Sequence, residues 1–475
     1  MAVIQSAEKL LPSGLRGKAD PLMRALAVIL AGDDPRSLAQ RMALVAFAIR
    51  VVSAAIAFVS QIVLARVMGE FEYGIFVFVW ALVVILGDLS CLGFHTTVIR
   101  FLPEYEGRSA YPEIRGLTST ARIFALLSST ALAVAGLAGL WLFAGSVQHY
   151  YIVPLYLGLF CMPMIALGDV LEGTARAHSW ALVALSPTYI VRPVLILAFM
   201  LAAIGLDAPH TALTAMVAAL AATYLTTVAQ FFNIVRRLGR RYVAGPRKVE
   251  FSLWMKAALP IFLVEGFSFL LTNSDVIVVG LYLDPQSVAV YFAAAKTMAL
   301  VHFVFFSVKA AAAPRFSALF SSGDRAALAR FAGETVRWSF WPSLAVGLGV
   351  LALGHFLLSL FGPAFTAGYG LMAILFAGIL AKALVGPGEV LLVMSGEQAL
   401  CAFVYAAALA ANIAFNVTLI PLFGLTGAAV ATAGAMVVEA TLLHLAVRRK
   451  LAIVLFAFAN PLKAARINGM DHHDR

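Results

Sequence analysis

Long apolar runs separated by short polar ones dominate this chain. The apolar runs extend over about 20 to 28 residues, the length an α-helix needs to cross a bilayer's hydrocarbon core. Twelve such runs are predicted, at 42–65, 73–94, 121–144, 152–171, 180–204, 211–235, 254–281, 286–313, 337–361, 369–393, 397–420 and 424–447. The run "LAIVLFAF" after Lys450 is too short to cross and is predicted to lie at the membrane interface. The first 41 residues are mixed and basic. Their apolar piece "ALAVIL" is followed by "GDDPR", which predicts an interfacial helix in an N-terminal tail rather than a cleaved signal.

Composition agrees. Of 475 residues, 62% are hydrophobic and 12% charged, about half the charged fraction of a soluble domain. Cys91, Cys161 and Cys401 each sit in an apolar run, without the spacing of a disulfide framework or a metal site. Histidines are scattered over different segments, and no nucleophile, metal or phosphate-loop pattern emerges. We therefore expect a non-enzymatic protein without cofactor. The net charge of +10 is explained by topology before any nucleic-acid partner is needed, and none is expected.

Twelve spans place both termini on one side. There lie the tails and the loops 95–120, 172–179, 236–253 and 314–336, which hold most of the 34 basic residues. The opposite loops read "ARVMGEFEY", "GSVQHYY", "GLDAPH", "YLDPQS", "GPAFTAG" and "PLFG", with Arg66 as their one arginine. Excess lysine and arginine marks cytoplasmic loops, so both termini are expected in the cytoplasm. The densest run, "RRLGRRYVAGPRK" (Arg236 to Lys248), falls between spans six and seven. It reads as a topological anchor compatible with contact to anionic lipid head groups. It also divides the chain into a tail 1–41, a bundle 42–235, a linker 236–253, a bundle 254–447 and a tail 448–475. "VMGEFEYGIF" after span one and "YLDPQSVAVY" after span seven share a pattern at an offset of about 215 residues. The expected fold class is therefore an all-α polytopic membrane protein, about 12 transmembrane helices in two six-helix bundles related by pseudo-two-fold symmetry. Transporters built this way carry substrate between the halves.

Several motifs carry a family likeness. "LARVMGEFEYGIFVFVWALVVILGDLSCLG", "LTNSDVIVVGLYLDPQSVAVYFAAAKTMALV", "AAPRFSALFSSGDRAALARFAGETVRW" and "NIAFNVTLIPLFGLTGAAVAT" occur in order from about 42 to 447. Together they resemble the bacterial polysaccharide-biosynthesis flippases of the multidrug/oligosaccharidyl-lipid/polysaccharide superfamily. The resemblance implies two six-helix bundles, a monomer in the inner membrane, and export of undecaprenyl-diphosphate-linked oligosaccharide, with membrane lipids and the polysaccharide polymerase machinery as further partners. The same superfamily holds drug–cation antiporters and peptidoglycan-precursor flippases, which stay as alternatives. No loop between spans exceeds about 30 residues, which leaves no room for a glycosyltransferase domain.

Charges inside spans are costly and usually face a cavity or a partner. Counting about 1.5 Å per residue, Arg50, Arg192, Lys296, Lys382, Glu265 and Glu439 lie deep. Arg50, Ser53, Ala57 and Gln61 share one helix face, as do Glu265, Ser268, Thr272 and Asp275, and Lys382, Gly386 and Glu389. Such stripes serve either as helix–helix glue or as a shared polar interior. A net positive interior suits a diphosphate, which arginine grips through two bonds and lysine as a point charge. The expected substrate contacts are Arg50, Arg192, Lys296 and Lys382. Glu265, Asp275, Glu389, Glu439 and Asp88 are candidates for ion coupling or for structure, Asp88 favouring structure because it opens a bend. Lys309, near a span end, is expected to snorkel to the surface.

Overall fold

The computed structural model describes residues 35–459; within 35–50 only the side chain of Ile49 is described. No strand occurs among the described residues. In chain order the helices are α1 (Pro35–Ser90), α2 (Phe94–Gly107), α3 (Tyr111–Leu142), α4 (His149–Ala177), α5 (Ala181–Ser186), α6 (Arg192–Gly205), α7 (Ala212–Arg241), α8 (Phe251–Tyr282), α9 (Pro285–Met298), α10 (His302–Ser321), α11 (Arg325–Ala352), α12 (Gly354–Phe361), α13 (Tyr369–Val385), α14 (Gly388–Met394) and α15 (Gln398–Leu451).

By length and composition, nine described helical stretches suffice to cross a membrane, with α5 and α6 counted together as Ala181–Gly205 and α9 and α10 as Pro285–Ser321, or ten if α11 and α12, bent by 58°, form one span. Helices α1 and α15, at 56 and 54 residues, would be rods of about 80 Å, far longer than a hydrocarbon core of about 30 Å. Each is interrupted by a glycine with non-helical dihedrals, Gly69 (φ 77°, ψ 169°) in α1 and Gly424 (φ 56°, ψ −134°) in α15. The twelve runs read from the sequence are recovered only when both interruptions are taken as turns at the membrane surface.

Two expected features differ. The 95–120 loop is largely helical, because α2 is amphipathic: Phe94, Val98, Phe101, Leu102 and Tyr105 are buried on one face. The tenth run is not one helix. Pro387 lacks an N–H and Gly386 has φ 68°, so α13 ends at Val385 and α14 restarts at Gly388. The run "LAIVLFAF" packs against the second half instead of standing alone as a separate segment. It is extended, with alternate residues Ile453, Leu455 and Ala457 buried against the second half. Its backbone is fixed by Ala457 N–H donating to Leu384 O at 3.0 Å and by His444 Nδ1 against Leu455 O at 2.8 Å.

The apolar cores explain the two-lobed shape. One core is common to both halves, joining Leu64, Tyr73, Phe76 and Ile165 to Val288, Tyr291, Phe361, Phe365 and Ile420. Separate cores fill the other end, one around Phe94, Val98, Leu117 and Ala121 in the first half and one around Phe316, Phe331, Val336 and Leu443 in the second. The halves are thus welded at one end and parted at the other. Trp254 and Ala258 of α8 belong to the first-half core, whereas Val276 and Val279 join the shared core, so α8 ties the lobes together.

The basic linker is fastened to the first half. Arg115 donates to Val243 O (2.8 Å) and Pro246 O (2.9 Å). Lys248 bonds Glu113 (3.1 Å) and Glu250 (2.8 Å), partners that push its amine up to about 12. Arg241 pairs with Glu106. Buried His178 meets the Tyr242 hydroxyl at 2.9 Å, and burial lowers its imidazole below the ordinary value.

Candidate functional site

Between the parted ends lies a cavity of about 520 Å³ with residues of both halves on its walls. The first half contributes Asp88 from α1, His95 and Thr96 from α2, Asp169, Glu172 and Arg176 from α4, and Tyr189. The second half contributes Glu265, Ser268, Thr272 and Asn273 from α8, Glu389 from α14, and Cys401 and Tyr405 from α15. The α8 stripe predicted from 3-4 spacing is present up to Thr272. Its fourth member, Asp275, is buried elsewhere: it accepts from Tyr291 Oη and from the Val276 N–H, both at 2.9 Å. Tyr291 in turn meets Thr432 Oγ1 at 2.9 Å, which makes Asp275 a tie between α8, α9 and α15.

Glu265 bridges the lobes. It accepts from Thr96 Oγ1 at 2.8 Å, and its Oε2 lies 3.4 Å from His95 Nε2. Asp88 faces the same space, with Asp169 and His95 as charged neighbours. Asp169 Oδ2 and His95 Nδ1 are buried and have no hydrogen-bond partner among the described residues.

The predicted basic contacts fare differently. The side chain of Arg50 lies outside the described residues. Arg192, at the start of α6, rests over the Trp80 ring at 5.7 Å, with Asp169 and Glu172 as its charged neighbours. Lys382 is committed to Glu439: its Nζ is 2.6 Å from the carboxylate, which is almost wholly buried. Lys309 does not snorkel but pairs with Glu389, because the broken tenth run brings that carboxylate to it. Lys296 is exposed on α9, over the ring of Phe292 at 5.1 Å, and no described carboxylate forms an ion pair with it. Lys296, Lys309 and Lys382 converge as the charged neighbours of His302.

The sequence predicts a net positive interior; the cavity wall is instead rich in acids. Lysines gather in the second half. The cavity wall carries Asp88, Asp169, Glu172, Glu265 and Glu389 against Arg176 and His95. Glu172 and Arg176 escape hydropathy because α4 continues in helix to Ala177, beyond the apolar run that ends at 171, and Asp169 lies close to the end of that run, where it is not counted as deep. Their 3-4 spacing was the available signal.

Comparison with known proteins follows from this geometry. The sequence matches the family described as Polysaccharide biosynthesis protein over residues 40–320, more than half of the chain. The chain belongs to that family. A second match, MatE, covers residues 260–418. No curated protein matches the sequence significantly. Among solved structures, an inward-facing multidrug resistance MATE family transporter of the MOP superfamily is similar at TM-score 0.66 and 15% identity, over 90% of this chain and 97% of that one. The lipid II flippase MurJ in an inward closed conformation is similar at TM-score 0.67 and 14% identity, over 91% and 94%. A MOP superfamily transporter from Pyrococcus furiosus, described as having a binding pocket of reverse polarity, matches at TM-score 0.61 and 15% identity, over 90% and 97%. Identities this low establish the fold. This polysaccharide-biosynthesis family protein is thus a multi-pass membrane protein with a fold shared by transporters of the MOP superfamily.

Proposed function

We propose that the protein exports polyprenyl-diphosphate-linked oligosaccharide, the undecaprenyl-linked repeat unit of a bacterial surface polysaccharide, across the inner membrane by alternating access. The observation that carries this reading is Lys296, a cation held within a transmembrane helix at the junction of the lobes, exposed and without an ion-pair partner among the described residues, with the buried, hydrogen-bonded Asp275 as its acidic neighbour. Such a group is stabilised by an anionic ligand. The head group enters the cavity at the end bearing the basic loops, taken as cytoplasmic from the charge bias, and the prenyl tail stays in lipid. The diphosphate is drawn to Lys296, with Arg192 facing it from the first half. Residues 42–235 and 254–447 then rock so that the basic end closes and the shared core parts, opening the cavity to the opposite side.

The test is a deletion strain complemented with wild-type or Lys296→Ala protein, assayed for lipid-linked oligosaccharide and surface polymer. Lys296→Ala is expected to lower export by about tenfold or more, the value of one charge-assisted contact, at unchanged protein level in the membrane. Lipid-linked repeat units should accumulate. Full complementation by Lys296→Ala would overturn the assignment of the head-group site. A second reading, drug–cation antiport, draws on the acid-rich cavity wall. It requires normal surface polymer in the deletion strain together with new sensitivity to cationic drugs.

A further inference from the structure

The charged run at the end of α7 sorts into two faces. Arg241 is held by Glu106, and beyond it Lys248 is held by Glu113 and Glu250. Arg236, Arg237 and Arg240 face the other way and line, with Phe232 and Asn233, an open surface pocket of about 690 Å³. Arg237 donates to Asn233 Oδ1 at 2.8 Å and lies 5.4 Å over the Trp180 ring. Among the described residues neither Arg236 nor Arg240 has an ion-pair or hydrogen-bond partner. These two sit at i and i+4, where like charges repel, so an external anion would relieve that repulsion.

The surroundings say where that anion comes from. The outward face of α7 leading to the pocket is apolar: Leu225, Val228, Phe232 (65% exposed) and Val235 are all exposed. Arginines begin where that stripe ends. Trp180, at the same level, is a residue type that collects at membrane–water interfaces. The pocket therefore sits where acyl chains give way to head groups, on the outside of the bundle and apart from the transport cavity. We infer that Arg236, Arg237 and Arg240 form a binding site for the phosphate head group of an anionic membrane lipid, whose acyl chains lie along the Leu225–Val235 face. Guanidinium suits this task because its planar fork donates two parallel bonds to phosphate oxygens, which an ammonium cannot match.

The full-length protein, purified in mild detergent, is titrated with phosphatidylglycerol or phosphatidylcholine, and bound lipid is counted by native mass spectrometry. Wild type is expected to retain phosphatidylglycerol in preference to phosphatidylcholine. The triple variant R236Q/R237Q/R240Q should lose that preference by about tenfold or more, since each basic residue near a head group contributes appreciably. A second variant, R236K/R237K/R240K, keeps the charge that topology requires and separates the readings. Retention reduced several-fold supports a guanidinium site. Retention equal to wild type in the lysine variant overturns it in favour of nonspecific charge attraction between the lipid and any basic surface. Equal retention in the glutamine variant, or capture of a soluble acidic protein with no lipid preference, overturns it as well.

Discussion

Lys382→Met is expected to destabilise the protein by about 3–5 kcal/mol, the usual result of removing one member of a buried ion pair. The partner left behind, Glu439, is 1% exposed, and its carboxylate would stand without the Nζ now 2.6 Å away. The double variant Lys382→Met/Glu439→Leu removes the stranded charge and should recover most of that loss, because an apolar pair of similar volume is often neutral in such a site. Unfolding can be followed with a thiol-reactive dye, since Cys91, Cys161 and Cys401 are all free and buried. Thermal scans of both variants and of Lys296→Ala form the decisive set. Lys296→Ala should unfold much closer to wild type than Lys382→Met, because Lys296 forms no ion pair and its acidic neighbour Asp275 keeps its bonds to Tyr291 Oη and the Val276 N–H. A Lys382→Met protein as stable as wild type yet inactive in export would instead return Lys382 to the substrate, as the sequence had suggested.

That contrast shows what a sequence can and cannot disclose in this fold. Hydropathy gives the apolar segments directly, since each must exceed the bilayer thickness in length. Charge bias predicts their orientation. Helical spacing finds Glu265, Ser268 and Thr272 on one wall of the cavity. It fails at Lys382, Gly386 and Glu389, because Gly386 and Pro387 end the helix on which that spacing depends. It also cannot show that Glu439, on a helix far along the chain, supplies the counter-ion for Lys382. Arg192 and Lys296 are found equally well by depth, but depth does not reveal that Arg192 stands near Asp169 and Glu172 whereas the acid near Lys296, Asp275, is already bonded to Tyr291 Oη and the Val276 N–H. Pairing is a property of tertiary packing, and the sign of a cavity follows from pairing rather than from a count of deep residues.

Gly74→Ala should abolish export, with a loss of about 100-fold or more, because it obstructs the weld between the lobes. A Cβ on Gly74 would lie 1.8 Å from Pro285 O, the first residue of α9, and the backbone of a helix start cannot yield as a flexible side chain would. Small-to-large changes in a packed contact typically cost about 1–3 kcal/mol. Here the contact joins two bodies whose relative position is what alternates, so that cost falls on one conformation. The neighbouring contacts depend on the same approach. Tyr73 packs on Phe292 and Phe365 at 6.2 and 6.0 Å, and Phe58 packs on Phe361 at 5.6 Å. Arg66 donates to Ser359 O and Leu360 O, both at 2.6 Å, where the carbonyls ending α12 favour a cation. Spin labels on the two lobes should report a wider separation at this end in Gly74→Ala. Arg66→Gln loosens the same end without a steric clash and should give a smaller shift in the same direction, with export lowered by about tenfold. If Gly74→Ala exported normally at wild-type inter-lobe distances, the weld could not be a gate that must close in each cycle. If the two variants moved the labels in opposite directions, Arg66 and Gly74 would not belong to one closing surface.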